Sequence, residues 1–146
     1  GIKLRSGDAV VGMVIVEEKA ALFTVCENGY GKRTGLENYR LQSRGGVGLI
    51  NIKTSSRNGK VVALQAVQSN DDLMMITANG MIIRTGLDQI RSIGRNTQGV
   101  RLIKLKAEDK LVAAEKIVSE EEDDSKAESD DKSRSQSKNE NRDEEQ

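Results

Sequence analysis

The chain has 146 residues, and its 23 Lys and Arg balance its 23 Asp and Glu to a formal net charge of zero. It contains no histidine and one cysteine, Cys26, which excludes histidine-based triads, histidine–metal sites, an internal disulfide and any two-cysteine zinc cluster. No apolar run reaches the ~18 residues of a membrane span and no basic-then-apolar leader opens the sequence, so a soluble protein of a reducing intracellular compartment is expected.

In chain order, Val10 to Val16 is an apolar run broken only by Gly12, and Ala20 to Cys26 is a second. Asn28-Gly29 follows where a type I′ hairpin turn needs two residues at positive φ. Next come Arg33-Thr34-Gly35-Leu36, Arg40 and a glycine-rich stretch, Gln42-Ser43-Arg44-Gly45-Gly46-Val47-Gly48. A short strand over Leu49 to Lys53 and a turn at Asn58-Gly59 close the series. It then begins again with Lys60 to Val67, Leu73 to Thr77, Asn79-Gly80 and Arg84-Thr85-Gly86-Leu87. At a constant offset of 51, Val10 to Gly48 and Val61 to Gly99 are identical at 13 of 39 positions. A third copy starts with Gly99-Val100-Arg101-Leu102-Ile103 and Leu111-Val112 and stops near Val118. The copies span residues 1–47, 48–98 and, in part, 99–118. The first begins abruptly at Gly1 without a methionine, which reads as the C-terminal piece of a longer protein.

Short β-branched runs punctuated by 14 glycines, with no proline to interrupt a ladder, point to an all-β fold. Four short strands per repeat of about 51 residues make a blade, and repeated blades make a propeller-like radial array. From Ser119 onward the only aliphatic residue is Ala127. Such a stretch cannot bury enough apolar surface to offset ordering at about 1 to 2 kcal/mol per residue, so a disordered acidic tail is expected over 119–146. Charge divides at the same place: residues 1 to 118 hold 18 basic against 11 acidic side chains, a net +7, and the tail holds 5 against 12, a net −7.

Arg33, Arg40 and Arg44 recur one repeat later as Arg84, Arg91 and Arg95. A radial array turns that recurrence into a periodic basic rim, suited to a duplex that presents one phosphate charge per ~1.7 Å of axis; a solvated face is the plainer reading. Lys32, Lys53, Arg57, Lys60, Arg101 and Lys104 add charge without strict repetition. With two Tyr, one Phe and no Trp there is no stacking platform for single strands, so duplex backbone is the better ligand. The stretch Gln42 to Gly48 allows close backbone approach, and Arg44 beside exposed amides suits a phosphate oxygen; it serves equally well as a flexible connection. It is not a P-loop, because no GK[ST] follows. Cys26 aligns with Thr77 and reads as a small core residue. Asp71-Asp72 aligns with Ala20-Ala21 and reads as a solvated turn. No acid/base constellation is present, so a self-contained enzyme is not expected.

Tyr30-Gly31-Lys32-Arg33-Thr34, Gln42 to Gly48, Asp72-Leu73-Met74-Met75-Ile76-Thr77 and Gly94-Arg95-Asn96-Thr97-Gln98-Gly99-Val100 closely resemble the last blades of the C-terminal domain of the bacterial DNA gyrase A protein. The resemblance covers essentially all of residues 1 to 118. It implies a β-pinwheel whose rim binds and bends duplex DNA, the wrap supporting ATP-dependent negative supercoiling by a type II topoisomerase. Together with the basic pattern it points to DNA contacts from Lys32, Arg33, Arg40, Gln42, Arg44, Gly45, Gly46, Arg84, Arg91, Arg95 and Arg101. It further implies that ATP and Mg are bound elsewhere in the holoenzyme, with no catalytic residue, metal or cofactor in this chain. The implied partners are the rest of the gyrase A protein and the gyrase B protein in an A2B2 complex, in the cytoplasm at the nucleoid and away from membrane. One departure stands out: the family's box reads roughly QRRGGxG, and here Ser43 replaces its first arginine, as in a secondary copy of the box. The alternatives are the C-terminal domain of the topoisomerase IV A protein, serving decatenation and relaxation, and a propeller used for protein contacts.

Overall fold

The computed structural model describes residues 1–118, so the expected tail lies outside the described residues. Seven strands are formed: β1 (Ala21–Cys26), β2 (Tyr30–Gly35), β3 (Val61–Val67), β4 (Asp72–Thr77), β5 (Ile82–Gly86), β6 (Val100–Arg101) and β7 (Leu111–Ile117). Each Asn-Gly pair closes a hairpin, β1 with β2 and β4 with β5, in matching register: Phe23 faces Arg33 as Met74 faces Arg84. The turns are not type I′. Gly29 and Gly80 both sit at φ +81° while Asn28 and Asn79 are not at positive φ, and each glycine N–H donates three residues back, to Cys26 O at 3.1 Å and Thr77 O at 3.0 Å. In a three-residue loop only the last position must be left-handed, and glycine meets that demand.

The sheets are not confined to single copies of the repeat. One has the order β3-β1-β2-β6 and the other β5-β4-β7, so β3 and β7 each pair with the hairpin of the preceding copy. No copy forms the four strands expected of it; among the described residues, strands exchanged between copies make one sheet of four and one of three. The same rule explains why Val10 to Val16, expected as a strand, is not one. It is the counterpart of β3, but no hairpin precedes it among the described residues, and Val10, Met13, Ile15 and Val16 are left exposed. Leu49 to Lys53 is also outside any strand, held instead by the side chain of Asn51 and by Ile52.

Register determines how the sheets stack. The first sheet contributes Phe23, Val25, Ala63 and Val67 to the shared core, and the second contributes Leu73, Met75, Leu111 and Ala114. Phe23 corresponds to Met74 in the repeat, not to Leu73 or Met75, so the front of one blade packs on the back of the next. Such head-to-tail stacking is how propeller blades follow one another around an axis. Gln65 bridges the seam, its amide donating to Ala114 O at 3.1 Å.

The other face of the first sheet carries Thr24, Cys26, Tyr30, Lys32 and Thr34. It is covered by two loop segments, 50–58 and 93–98, and the contacts are mostly polar. Thr34 Oγ1 donates to Ile93 O at 2.8 Å, and Asn51 Nδ2 donates to Thr24 Oγ1 at 2.7 Å. Ile52 adds an apolar contact with Cys26 and Tyr30. Gly99 lets the second segment come close: a Cβ there would meet Gly31 O at 2.6 Å. No helix among the described residues is long and apolar enough to cross a membrane.

Candidate nucleic-acid interface

The repeated arginines occupy equivalent ladder or loop positions but different surroundings. Arg33, opposite Phe23, is half-buried, and its Nη1 is buried without a hydrogen-bond partner. Arg84, opposite Met74, is exposed but neutralised: its Nε donates to Asp72 Oδ2 at 2.6 Å and its Nη2 lies 2.5 Å from the same oxygen. Arg95 is half-buried; its Nη1 donates to Ile50 O at 2.9 Å and its guanidinium lies 5.8 Å from the Tyr39 ring centroid. Arg40, Arg44 and Arg91 are exposed, and no side-chain hydrogen bond or ion pair ties them down among the described residues. Three of the six repeated arginines are therefore free surface cations.

The glycine-rich stretch is a surface loop on the first residues of the chain. Gly45 N–H donates to Gly1 O at 2.7 Å and Lys3 N–H to Gly46 O at 2.9 Å. Gln42 and Arg44 line an open pocket with Gly1, Ile2 and Gly46. Gly45 and Gly48 are left-handed, at φ +79° and +81°.

Lys32 lies inside the molecule, contrary to its expected place among the surface contacts. Its side chain is 0% exposed, and Nζ donates to Gly94 O at 2.8 Å. Burial, then repulsion from Arg95, lowers its ammonium from 10.5 to about 8, slightly opposed by Cys26. The folded chain therefore releases this proton before the unfolded chain does, and the stability lost to burying the charge returns as pH rises from about 8 to 10.5. Lys32→Met removes the buried charge and also the donor to Gly94 O, so its stability relative to the parent is expected to be greatest near pH 7 and to fall towards pH 10 in urea melts. Its DNA affinity should not change. Cys26, 0% exposed on the same face, has its thiol pushed up to about 11, chiefly by burial and next by Glu27, and so stays an unreactive core group.

Charge outside the repeat gathers at the Asn28-Gly29 end of the first hairpin. Arg101 and Arg57 both lie over Tyr30, at 5.4 and 5.0 Å from the ring centroid, while Lys110 Nζ donates to Asn28 Oδ1. Arg57, Lys60 and Lys110 lie outside the expected contact set, which neither the arginine recurrence nor the family resemblance extends to them. For Arg57 and Lys60 the signal available is that they flank Asn58-Gly59, but only the fold brings that turn and Lys110 against Asn28.

Head-to-tail antiparallel blades with recurring arginines define a propeller-type repeat domain. The chain belongs to the family described as the DNA gyrase C-terminal domain, beta-propeller, whose model matches residues 1–17, 21–68 and 71–117. It is 46% identical over 108 residues to the DNA gyrase A protein of Lawsonia intracellularis, covering 72% of this chain and 13% of that protein. It is 45% identical over 112 residues to the DNA gyrase A protein of Salmonella typhimurium, covering 77% and 13%. The chain thus spans about an eighth of the length of these curated relatives. A solved DNA gyrase A C-terminal domain superposes with a TM-score of 0.75 at 30% identity, over 81% of this chain and 40% of that one. The C-terminal domain of DNA topoisomerase IV shares the fold at a TM-score of 0.73 and 18% identity, over 80% and 37%.

Proposed function

We propose that this chain binds and bends duplex DNA as part of the wrapping domain of a gyrase A protein. The observation that carries this reading is the set of exposed arginines without an ion pair among the described residues, the matched pair Arg40 and Arg91 together with Arg44, on a gyrase-family fold. A curved basic surface follows a phosphate backbone without reading bases, and several contacts must act together because bending 20 to 30 base pairs by 40 to 90° costs of order 1 to 6 kcal/mol. The rest of the reading follows the family. The partners are the remainder of the gyrase A protein and the gyrase B protein in an A2B2 complex, with ATP and Mg bound outside this chain, in the cytoplasm at the nucleoid. The gyrase reading is preferred to topoisomerase IV because the relatives at 46% and 45% identity are gyrase proteins. The test is a salt titration of duplex binding together with ligation of nicked circles in the presence of the chain. A steep linear fall of log affinity with log salt and a shifted topoisomer distribution are expected. Binding indifferent to salt, with unshifted circles, would leave only a protein-contact role.

Residues 119–146 carry the opposite charge to the body, 12 acidic against 5 basic. Being part of the same chain, they compete with DNA at a high effective concentration, and salt weakens that competition. Ending the chain at Val118 is expected to tighten duplex binding at low salt, with the gain fading towards physiological ionic strength. Equal affinities at low salt would reduce the tail to a solubility role.

A further inference from the structure

Tyr30 opens β2 directly opposite Arg101 of β6, which puts the two side chains on one face of the sheet. Arg101 donates to the phenol oxygen from Nη2 at 2.9 Å and from Nε at 3.3 Å. Arg57 reaches the same ring from the loop before β3. Arg57 and Arg101 are exposed residues, whereas Tyr30 is only 5% exposed. Two like charges are thus gathered on one buried ring, and no carboxylate among the described residues pairs with either of them. The only ion pair among the described residues is Arg84 with Asp72. Glu27, the acid of the adjoining turn, accepts the Lys60 N–H at 3.0 Å.

The loop that carries Arg57 is pinned. Asn58 is fully buried; its Oδ1 accepts from Ser55 N–H at 2.7 Å and its Nδ2 donates to Lys53 O at 2.9 Å and Gln98 O at 3.0 Å. Asn28 Nδ2 adds a bond to Ser56 O at 3.0 Å. Both arginines therefore stand on rigid supports before any ligand arrives, which lowers the ordering cost of binding. An aromatic ring holds a guanidinium without cancelling its charge, as a carboxylate would. The planar fork that remains free matches two oxygens of a phosphate.

We propose that Arg57 and Arg101, positioned by Tyr30, form a preorganised clasp for one backbone phosphate of duplex DNA. The clasp rests on the DNA-binding reading above and adds a contact that the repeat does not supply, since Arg57 aligns with Glu108 and Arg101 with Ile50 at the offset of 51. The neighbouring guanidiniums of Arg57, then Arg101, hold the Tyr30 phenol below its ordinary range, whereas burial raises that of Tyr39. Tyr30 is therefore the first tyrosine to ionise, and a phosphate that engages both guanidiniums will raise its titration.

The experiment uses the full chain and a duplex of about 25 base pairs. One arm compares salt titrations of the parent, Arg57→Ala with Arg101→Ala, and Tyr30→Leu. The other follows tyrosinate absorbance with and without the duplex in Tyr39→Phe. Loss of about 0.9 from the salt slope in the double variant, a smaller loss in Tyr30→Leu and an upward shift of the Tyr30 titration on binding are expected. Arg57 and Arg101 are surface side chains, so the double variant keeps the fold. If it binds with the parental slope, or if DNA leaves the Tyr30 titration unmoved, the clasp is wrong while the DNA reading stands. If the parent shows no salt-dependent binding, both fall together.

Discussion

Gly29→Ala will destabilise the chain several times more than Gly80→Ala, although the two glycines hold the same place in the repeat. Both sit at φ +81°, so either alanine incurs the left-handed strain of about 1 to 2 kcal/mol. At Gly80 that is the whole effect, because nothing lies within 4 Å of the added Cβ. At Gly29 the Cβ would be 2.6 Å from Ile103 O and 3.1 Å from Ile103 Cγ2. Backbone must move, and the backbone concerned is bonded to the same turn, Leu102 and Ile103 N–H donating to Gly29 O at 2.9 and 3.2 Å. Breaking two such bonds adds about 1 kcal/mol each, so losses of ~1 kcal/mol for Gly80→Ala and ~3 kcal/mol or more for Gly29→Ala are expected. Urea unfolding of the two variants measures both. Equal losses would mean that the third copy does not close over the first hairpin.

The same pair of glycines marks the boundary of what the sequence could show. Asn28-Gly29 and Asn79-Gly80 located both hairpins because a tight turn needs local chemistry, and local chemistry is written in neighbouring residues. Which segment covers a turn depends on residues some 75 positions away, and no local pattern carries that. Val10 to Val16 and Val61 to Val67 share their apolar runs, yet only the second is a strand, since a ladder needs a partner as well as a propensity. Asn-Gly serves both two-residue and three-residue loops, so the pair marks the turn without fixing its type.

For the site, the recurrence of arginines was legible and their availability was not. Lys32 and Arg33 are neighbours with the same charge, but alternation along β2 sends them to opposite faces. Segment 93–98 then covers the Lys32 face, with Gly94 O taking the ammonium. Asp72 belongs to β4 and not to a solvated turn, and there it neutralises Arg84. Arg57 and Arg101 are legible as surface charge, but their meeting on the Tyr30 ring is set by the fold and by no local pattern.

Replacing Arg40, Arg44 and Arg91 together by alanine will have the largest effect on DNA binding. Each is exposed and without a hydrogen bond or ion pair among the described residues, so its charge is wholly available to a phosphate and its loss leaves no buried group unpaired. At about 0.9 of slope per phosphate, three lost contacts flatten the dependence of log affinity on log salt by about 2.7, and at 0.1 M salt they lower affinity roughly 500-fold. The other basic residues rank themselves by surroundings. Arg84→Ala should flatten the slope by less than one unit, because Asp72 already compensates that charge, and Lys32→Met should leave the slope alone. Melting curves of the triple variant should match the parent, which separates lost contacts from lost structure. A triple variant that binds with the parental slope would show that the free arginines of the repeat are a solvated face and that the duplex follows another surface of the domain.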